Sequence, residues 1–334
     1  MKYSLIIPAY KAEKTIAYCL DSALTQSISR EEYEIIVVDY GSIDNTCEIV
    51  KSYPVVLIQQ QNQGPASARN KGVQNASGSI LIFTDSDCDL DRNFLERMVS
   101  SIEQGNGIVG VQGCYKTRQK AFMAQFGQTE IETRYKIMAK NKYIDFIGTY
   151  AAAYKKDIFL EHGGFDTGFS SASGEDTEFS YKLHRNGNKM IFNPLAFVYH
   201  QHPSKLSHYL KTKFHRGYWR VRLYRKHPKK IVKDSYTPQS LKFQVLSIPL
   251  IFFFGILSVF NKLWTFPLFV ILVSFLLFSI QFLTLFQKQK SLRNILIPVV
   301  LFLRATSLFF GMIFGVVDGL WSFIYTSFIN RCSK

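Results

Sequence analysis

The sequence predicts an α/β domain with a mainly parallel β-sheet, followed by helices that associate with a membrane. Three observations support this architecture. Short apolar runs alternate with helical patterns in the N-terminal part of the chain, two long uncharged runs lie in its C-terminal part, and a strongly basic segment separates them. We therefore divide the chain into a domain at 1–204, a basic juxtamembrane segment at 205–242 and membrane-associated helices at 243–330.

Strands and helices alternate in the predicted domain. Strands that are apolar throughout are typical of a parallel sheet covered by helices on both faces. Apolar residues three to four positions apart, such as Ile16, Leu20 and Leu24, indicate the helices between the strands. The predicted strands are 3–8, 34–39, 55–59, 79–84 and 108–112, and the predicted helices are 13–26, 64–76 and a short one that begins at Asp44.

Basic charge is concentrated outside this domain. Residues 1–200 carry 21 Lys and Arg against 23 Asp and Glu, whereas residues 201–242 carry 12 against 1 and residues 243–334 carry 7 against 1. A nucleic-acid-binding protein would carry its basic charge on the folded domain, so this distribution argues against nucleic acid as a partner. We expect the basic segment, above all His215–Lys233, to bind anionic lipid head groups.

Two uncharged runs are long enough to cross a membrane as helices. Phe243–Phe260 contains 18 residues and Leu263–Phe286 contains 24, and about 20 apolar residues span a bilayer. The alternative, a pair of buried helices in a soluble core, is disfavoured because two such runs are adjacent. A third stretch, Ile295–Ile329, contains Arg304 and Asp318. It fits either an interfacial helix followed by one span or one span with a buried ionisable residue.

The distribution of positive charge predicts the orientation of these helices. The basic segment precedes the first run, and Lys288, Lys290 and Arg293 follow the second. Loops rich in Lys and Arg stay in the cytoplasm, so we expect a multi-pass protein of the inner (plasma) membrane with its N-terminal domain in the cytoplasm. The five cysteines are widely spaced and lack a Cys-x-x-Cys pair, which is typical of a reducing compartment.

Acidic residues follow the predicted strands at the sheet edge where α/β proteins bind ligands. Asp39 ends the second strand, and Asp85-Ser86-Asp87 follows the fourth. Side chains at i and i+2 of an extended segment point the same way, and two carboxylates suit a cation such as Mg²⁺ or Mn²⁺ that bridges a diphosphate. The alternative is a turn or a helix cap. The position after a buried strand favours a metal-assisted nucleotide site.

Several motifs, in order along residues 4–200, resemble the family-two glycosyltransferases of the GT-A fold. The resemblance implies a mixed, mainly parallel sheet, a nucleotide-diphosphate sugar as donor and a divalent metal ion, Mn²⁺ or Mg²⁺. The motifs are Ser4-Leu-Ile-Ile-Pro-Ala-Tyr10, Glu13-Lys-Thr-Ile16, Ile36-Val-Val-Asp-Tyr-Gly-Ser42, Asp44-Asn-Thr46, Gly64, Ala68-Arg-Asn70, Gly72, Phe83-Thr-Asp-Ser-Asp87, Gly163-Gly-Phe-Asp166 and Gly174-Glu-Asp-Thr-Glu178.

The resemblance also implies roles for individual residues. Asp39 would accept the N–H of a uracil base, which favours a UDP-sugar, and a carboxylate suits this role because it is a pure acceptor. Asp87 and His200 would bind the metal ion, although His200 could equally be a structural histidine. The nucleotide-binding residues would be Pro8, Ala9, Tyr10, Glu13, Asp39, Arg69, Asp85 and Ser86.

Glu175 and Asp176 begin a predicted helix and are the candidate catalytic residues. Acidic residues are favoured at this position by the helix dipole alone. Three acids within four residues after Gly174 exceed what capping requires, however, and the family uses this Asp as the general base. We therefore expect Asp176, with Glu175 beside it, to take the proton of the acceptor hydroxyl.

The sequence departs from the family pattern at two places. Tyr40 replaces the second Asp of the usual Asp-Asp-Gly-Ser, which puts only a secondary contact in doubt. The Gln-x-x-Arg-Trp motif of processive synthases is absent, so we expect transfer of a single sugar. Arg216 and Trp219 lie at a comparable place before the membrane helices, and we interpret them as a gate that closes on the diphosphate or the acceptor.

Together these features predict an inverting, metal-dependent transfer of one sugar from a UDP-sugar to a membrane-held acceptor, either lipid-linked or a surface glycan. One alternative is a catalytically weak GT-A-like membrane scaffold, against which the intact acidic residues argue. Another is a nucleotidyltransferase that makes the sugar nucleotide. Such enzymes generally carry a Gly-rich basic loop near the first strand, where this chain has Pro8-Ala-Tyr-Lys11.

Overall fold

The computed structural model describes residues 1–105, 107–169, 174–286 and 292–332. The chain forms two compact units, each assembled from separate segments. Lys288 and Lys290 lie outside the described residues, as does the side chain of Arg293. Unit 1 comprises residues 1–120, 135–202 and 234–236, and unit 2 comprises residues 121–134, 203–233 and 237–334.

An eight-stranded mixed sheet forms the centre of unit 1. The strands are β1 Tyr3–Ala9, β2 Tyr33–Asp39, β3 Val56–Gln59, β4 Ile80–Thr84, β5 Cys88–Leu90, β6 Ile108–Lys116, β7 Ala151–Lys155 and β8 Lys189–His200. Their order is β3-β2-β1-β4-β7-β6-β8-β5. The first four strands in this order are parallel, β7 is antiparallel to both neighbours, and β5 is antiparallel to β8. The mixed, mainly parallel GT-A sheet is therefore confirmed.

The helices of unit 1 cover the sheet. They are α1 Ile16–Leu24, α2 Thr46–Lys51, α3 Gly64–Asn75, α4 Phe94–Glu103, α6 Lys156–Glu161 and α7 Glu175–Arg185, and the end of α5 Phe122–Met138 also belongs to this unit. The predicted helix at 13–26 is shorter in the structure. The Ala12 N–H donates to Thr46 Oγ1 at 2.8 Å, and Ala12 O accepts from the Thr15 N–H, so the chain turns before the helix begins.

Glycine brings α3 close to the sheet. A Cβ atom at Gly72 would lie 2.5 Å from Cγ2 of Ile6 on β1. Ile6 is completely buried, so it has no room to move aside, and any larger residue at position 72 would push the helix outward. This close approach fixes the position of Arg69 and Asn70, which lie on the same helix.

Unit 2 is built from helices, several of which are long and apolar. They are the first part of α5, α8 Leu206–Lys226, α9 Gln239–Phe260, α10 Thr265–Phe286 and α11 Ile297–Cys332, with short 3₁₀ turns at Pro228–Ile231, Lys262–Trp264 and Leu292–Leu296. Within the part of the chain that the structure describes, three segments are long and apolar enough to cross a membrane: Gln239–Phe260, Lys262–Phe286 and Asn294–Trp321. The ambiguous third stretch forms one continuous helix, and its Arg304 is buried and donates to Gln244.

Helices α8 and α11 pack with their backbones in contact. A Cβ atom at Gly311 would overlap the carbonyl oxygen of Phe214, and one at Gly315 would lie 2.5 Å from that of Tyr218. The Tyr218 hydroxyl donates to Asp318 at 2.6 Å. Glycines four residues apart let helices approach in this way, so one face of the basic helix α8 is covered by α11.

A buried ion cluster lies between α5, α8 and α11 in unit 2. The Lys213 ammonium contacts both oxygens of Glu130 at 2.7–2.8 Å, and the Tyr209 hydroxyl donates to the same carboxylate at 2.7 Å. Burial alone would raise the pKa of Glu130, but the positive charges of Lys213, Arg304 and Arg134 lower it well below its ordinary value. The carboxylate is thus held ionised as the counter-charge of several cations.

Replacement of Glu130 by Gln should destabilise unit 2. Removal of one partner from a buried ion pair costs about 3–5 kcal/mol, because the remaining cations lose their counter-charge. We expect the thermal unfolding midpoint of the protein in detergent to fall by roughly 10 °C. The matched control is Glu48→Gln, which removes an exposed partner of Lys51 and should leave the midpoint unchanged. Equal midpoints for the two variants would contradict a stabilising role of the cluster.

Candidate active site

The carboxyl ends of β1, β2 and β4 lie side by side and carry several of the predicted site residues. Ala9 pairs with Asp39 across β1 and β2, and Asp85 follows β4 directly. The rings of Tyr10 and Tyr40 stack at a centroid distance of 5.2 Å. Tyr40, which stands in place of the second Asp of the family pattern, thus forms an aromatic surface together with Tyr10. Predicted positions Pro8 and Ala9 are buried in β1, whereas Tyr10 is exposed.

Asp39 has one oxygen satisfied and one oxygen without a donor. Its Oδ1 accepts the backbone N–H groups of Gly41 and Ser42 at 3.1 and 3.0 Å. Its Oδ2 is buried and has no hydrogen-bond partner among the described residues. A buried acceptor without a partner is costly, so Asp39 is suited to accept a hydrogen bond from a ligand. Glu13, another predicted nucleotide contact, accepts from the Asn45 N–H at 3.3 Å.

The Arg69 side chain is buried between two carboxylates. It is 3% exposed, and its guanidinium donates to Asp85 Oδ1 at 2.7 Å and to Glu175 Oε1 at 2.9 Å. Burial alone would lower the pKa of Arg69, but the charges of Asp85 and Glu175 raise it. Arg69 therefore joins the end of β4 to the beginning of α7. Its predicted contact with base or phosphate stays a prediction.

The residue next to Arg69 holds α7 in place. The Asn70 side chain donates to the Phe165 carbonyl at 2.8 Å and accepts the Phe165 N–H at 3.0 Å. The Phe165 ring packs edge-to-face on Phe179 of α7 at a centroid distance of 5.3 Å. The Ala68-Arg-Asn70 and Gly163-Gly-Phe-Asp166 motifs thus act together to hold the beginning of α7, where Glu175 and Asp176 lie.

Glu175 and Asp176 differ in their surroundings. Glu175 is almost fully buried, and burial together with the Asp176 charge raises its pKa to about 7, although Arg69 favours its ionised form. Asp176 is half-buried, and its Oδ1 accepts the N–H and hydroxyl of Thr177 at 2.6 and 3.1 Å. Of the two acids, Asp176 is the more accessible to a ligand.

Residues Asp85-Ser86-Asp87 form a turn, which corrects the expectation of an extended segment. The Cys88 N–H bonds back to the Asp85 carbonyl at 3.1 Å, because the chain reverses here to start β5. The two carboxylates consequently have different partners. Asp85 contacts Arg69, whereas Asp87 Oδ2 lies 3.2 Å from His200 Nε2. Burial would raise the pKa of Asp87, but its hydrogen bond with His200 lowers it.

Asp87 and His200 fit a divalent metal ion as a pair. Antiparallel pairing of β5 with β8 sets Cys88 opposite His200 and so brings the two predicted ligands together. Within the described ranges, no group of three or more His, Cys, Asp or Glu residues has a metal-binding arrangement. Two protein ligands are sufficient for Mg²⁺ or Mn²⁺ when phosphate oxygens and water complete the coordination.

The sequence does not single out Tyr115, which lies at the centre of this region. Its hydroxyl donates to Asp85 Oδ2 at 3.1 Å, and its ring stacks on His200 at a centroid distance of 4.4 Å. Burial raises the pKa of Tyr115 well above its ordinary value, so the hydroxyl stays protonated. In the sequence, one tyrosine near the end of an apolar strand has no spacing that distinguishes it from a core residue.

The predicted gate residues belong to the other unit. Arg216 and Trp219 lie on α8, with Arg216 exposed and Trp219 half-buried. Their role stays a prediction.

Residues 4–163 match the family model described as Glycosyl transferase family 2. Glycosyltransferase AglE of Haloferax volcanii is 40% identical over 116 residues, which are 33% of this chain and 38% of AglE. Glycosyltransferase GlyA of Streptococcus pneumoniae is 29% identical over 224 residues, which are 62% of this chain and 31% of GlyA. The chain thus spans well under half the length of these two relatives.

Solved structures of low sequence identity share the fold. Mannosyltransferase PcManGT from Pyrobaculum calidifontis, in complex with GDP-Man and Mn²⁺, has a TM-score of 0.61 at 17% identity over 95% of this chain and 87% of that one. Residues 1–349 of S. aureus TarS, in complex with UDP, have a TM-score of 0.52 at 20% identity over 93% of this chain and 89% of that one.

The family match begins in β1 and ends beyond α6, so it includes Asp39, Arg69 and Asp85 with the strands and helix that hold them. It confirms the resemblance that the ordered motifs indicate. Residues 4–163 of this chain are therefore similar in sequence to glycosyl transferase family 2.

Proposed function

We propose that this protein transfers a single sugar from a nucleotide-diphosphate sugar, a UDP-sugar, to a membrane-held acceptor, with inversion at the anomeric carbon. The observation that carries this proposal is the Arg69 bridge. One buried guanidinium joins Asp85, on the donor side, to Glu175, which is adjacent to the candidate base Asp176. This bridge supports the proposal, because a single displacement needs the donor contacts and the base to be held at a constant spacing.

The donor side is supported by the partner-less oxygen of Asp39. The uracil ring has an N–H group, and Asp39 Oδ2 is a buried acceptor without a hydrogen-bond partner among the described residues. Stacked Tyr10 and Tyr40 beside it offer an aromatic surface to a base. The structures of TarS with UDP and of PcManGT with GDP-Man share this fold. Both UDP-sugars and GDP-sugars should therefore be tested as donors.

Asp176 and Glu175 have different roles in the proposed reaction, because their surroundings differ. Asp176 takes the proton of the acceptor hydroxyl as the hydroxyl oxygen attacks the anomeric carbon and the diphosphate leaves. Glu175 is almost fully buried and its Oε1 accepts from Arg69, so we assign it to holding Arg69 and assign the base role to Asp176. When bound by Asp87 and His200, a divalent ion supplies positive charge to the leaving diphosphate.

The acceptor is proposed to be lipid-linked or a surface glycan at the cytoplasmic face of the inner membrane. Three apolar helices of sufficient length support a multi-pass anchor, and anionic lipids would contact the basic segment before them. In this arrangement Arg216 and Trp219 on α8 would close on the diphosphate or the acceptor. AglE and TarS carry names of glycosyltransferases, and TarS is named for a poly(ribitol-phosphate) acceptor.

Release of nucleoside diphosphate from a panel of UDP- and GDP-sugars, with Mn²⁺ and native lipid extract, tests the function. We expect release from a UDP-sugar, its loss in EDTA and its recovery when Mn²⁺ or Mg²⁺ is added. Asp87→Ala should abolish it because the metal loses a ligand. The matched control is Asp89→Asn, two residues further on, where the carboxylate contacts Arg118 at the surface. Full activity in chelator would remove the metal from the mechanism.

Asp176→Asn should reduce turnover by about 10²–10⁴-fold, because the shape is kept and the proton acceptor is lost. The affinity for the sugar nucleotide should stay within a few fold, since in this proposal the donor is bound by Asp39, Asp85 and Asp87. Measured kcat and donor Kd check this expectation. A collapse of affinity together with turnover would instead make Asp176 a donor or structural residue.

Glu175→Gln is the comparison variant for this experiment. Below pH 7 the wild-type Glu175 is mostly protonated and resembles Gln, whereas above pH 7 its charge holds Arg69. The activity of the variant relative to wild type should therefore fall as the pH rises from 6 to 8. If Asp176→Asn kept full turnover while Glu175→Gln was inactive at every pH, Glu175 would be the base.

Protease added outside intact cells should leave residues 1–240 uncut, whereas protease added to inside-out vesicles should digest them. The reason is the basic segment before Phe243, which stays on the cytoplasmic side. An epitope at the N-terminus reports the fragment by immunoblot. Digestion of the N-terminal domain from outside would reverse the proposed orientation.

A further inference from the structure

Tyr115 contacts both halves of the candidate site through two different parts of its side chain. It lies at the end of β6, where it pairs with Val198 of β8. Alternate residues of a strand face the same side, so Tyr115 and His200 lie on one face, as diagonal neighbours across the two strands. The hydroxyl end of Tyr115 reaches the loop after β4 and contacts Asp85.

The Tyr115 hydroxyl, together with Arg69, holds the carboxylate of Asp85 in place. Arg69 holds Oδ1 at 2.7 Å, and the Tyr115 hydroxyl holds Oδ2 at 3.1 Å. Two donors on opposite oxygens set the plane of the carboxylate, and each oxygen keeps a second lone pair for a ligand hydroxyl. Without the Tyr115 hydroxyl, the carboxylate could turn about its bond to Arg69.

The ring fixes His200 by stacking. The Tyr115 ring lies between Tyr150, at a centroid distance of 3.8 Å, and His200, at 4.4 Å, with interplanar angles of 16° and 27°. The edge of the imidazole is held as well, because His200 Nδ1 lies 3.1 Å from His202 Nδ1. The stack therefore sets the plane in which His200 Nε2 meets Asp87.

Two further tyrosines, Tyr135 and Tyr150, hold Tyr115 in place. Its backbone N–H donates to the Tyr135 hydroxyl at 2.6 Å, and that hydroxyl lies 2.9 Å from the hydroxyl of Tyr150. The Tyr150 carbonyl accepts from Thr84, the last residue of β4. Tyr115 is thus fixed at its backbone and at its ring, as a group that orients others must be.

We propose that Tyr115 is a positioning residue that sets the nucleotide-side carboxylate Asp85 with its hydroxyl and the metal-side imidazole His200 with its ring. This inference rests on the proposed function. It has a specific consequence, because the two roles use different atoms. Loss of the hydroxyl should affect nucleotide binding alone, whereas loss of the ring should affect metal binding as well.

Two binding measurements on the full chain in detergent separate these roles. The affinity for UDP is measured in EDTA, where Asp85 contributes without a metal ion. The affinity for Mn²⁺ is measured at saturating UDP from the electron paramagnetic resonance signal of free Mn²⁺. Tyr33→Phe is the matched control, since its hydroxyl donates to the Ala23 carbonyl away from the site, and it should change neither affinity.

Tyr115→Phe should weaken UDP binding in EDTA about tenfold, because Asp85 loses one of the two donors that orient it, and should leave Mn²⁺ affinity within twofold. Tyr115→Leu should weaken both, with about a tenfold loss for Mn²⁺, as expected for an outer partner of a metal ligand. Tyr150→Leu removes the ring behind Tyr115 and should weaken Mn²⁺ binding, so the ring is tested even if Tyr115→Leu does not fold.

Three results would overturn the inference. In the first, Tyr115→Phe and Tyr115→Leu lower Mn²⁺ affinity equally, which would mean that the ring does not orient His200. In the second, neither affinity changes in any variant. In the third, all variants lower both affinities in proportion to their loss of thermal stability, as a purely structural residue would. Absence of UDP and Mn²⁺ binding in the wild type would overturn the proposed function itself, and the inference with it.

Discussion

The candidate site depends on one buried guanidinium. Arg69 is withdrawn from water, and the cost of its desolvation is offset only because Asp85 and Glu175 both contact it. These three groups come from α3, the end of β4 and the start of α7, and Glu175 lies 106 residues after Arg69 in the sequence. The position of Arg69 depends in turn on Gly72, where α3 approaches β1 without an intervening side chain. A packing constraint in the core thus fixes the spacing between Asp85 and Glu175.

The parts of the fold that depend on local pattern could be predicted from the sequence. Apolar strands such as Glu34–Asp39 and uncharged runs such as Leu263–Phe286 have periods and lengths that depend on their own residues, and the structure contains the corresponding elements. The position of Asp39 and Asp85 at one sheet edge follows from parallel pairing. Helix α1 begins later than its pattern indicates, because the Ala12 N–H donates to Thr46, the first residue of α2.

Features that arise from long-range pairing could not be predicted. The Asp85–Asp87 turn forms because β5 pairs with β8, more than 100 residues away, and this pairing separates the partners of the two carboxylates. Tyr115 meets Asp85 and His200 only after three strands assemble. The carboxylate of Glu130 likewise acquires Lys213 from a helix 83 positions further along the chain. In each case the local sequence is compatible with an ordinary core or surface residue.

The glycine contacts between α8 and α11 also bear on how the protein is made. The ribosome completes α8 long before it reaches Gly311 and Gly315, and α9 and α10 are synthesised in between. During that interval the backbone carbonyls of Phe214 and Tyr218 face a partner helix that does not yet exist. Without α11 this face of α8 would stay uncovered. The packing of α8 can therefore be completed only after α11 has been synthesised.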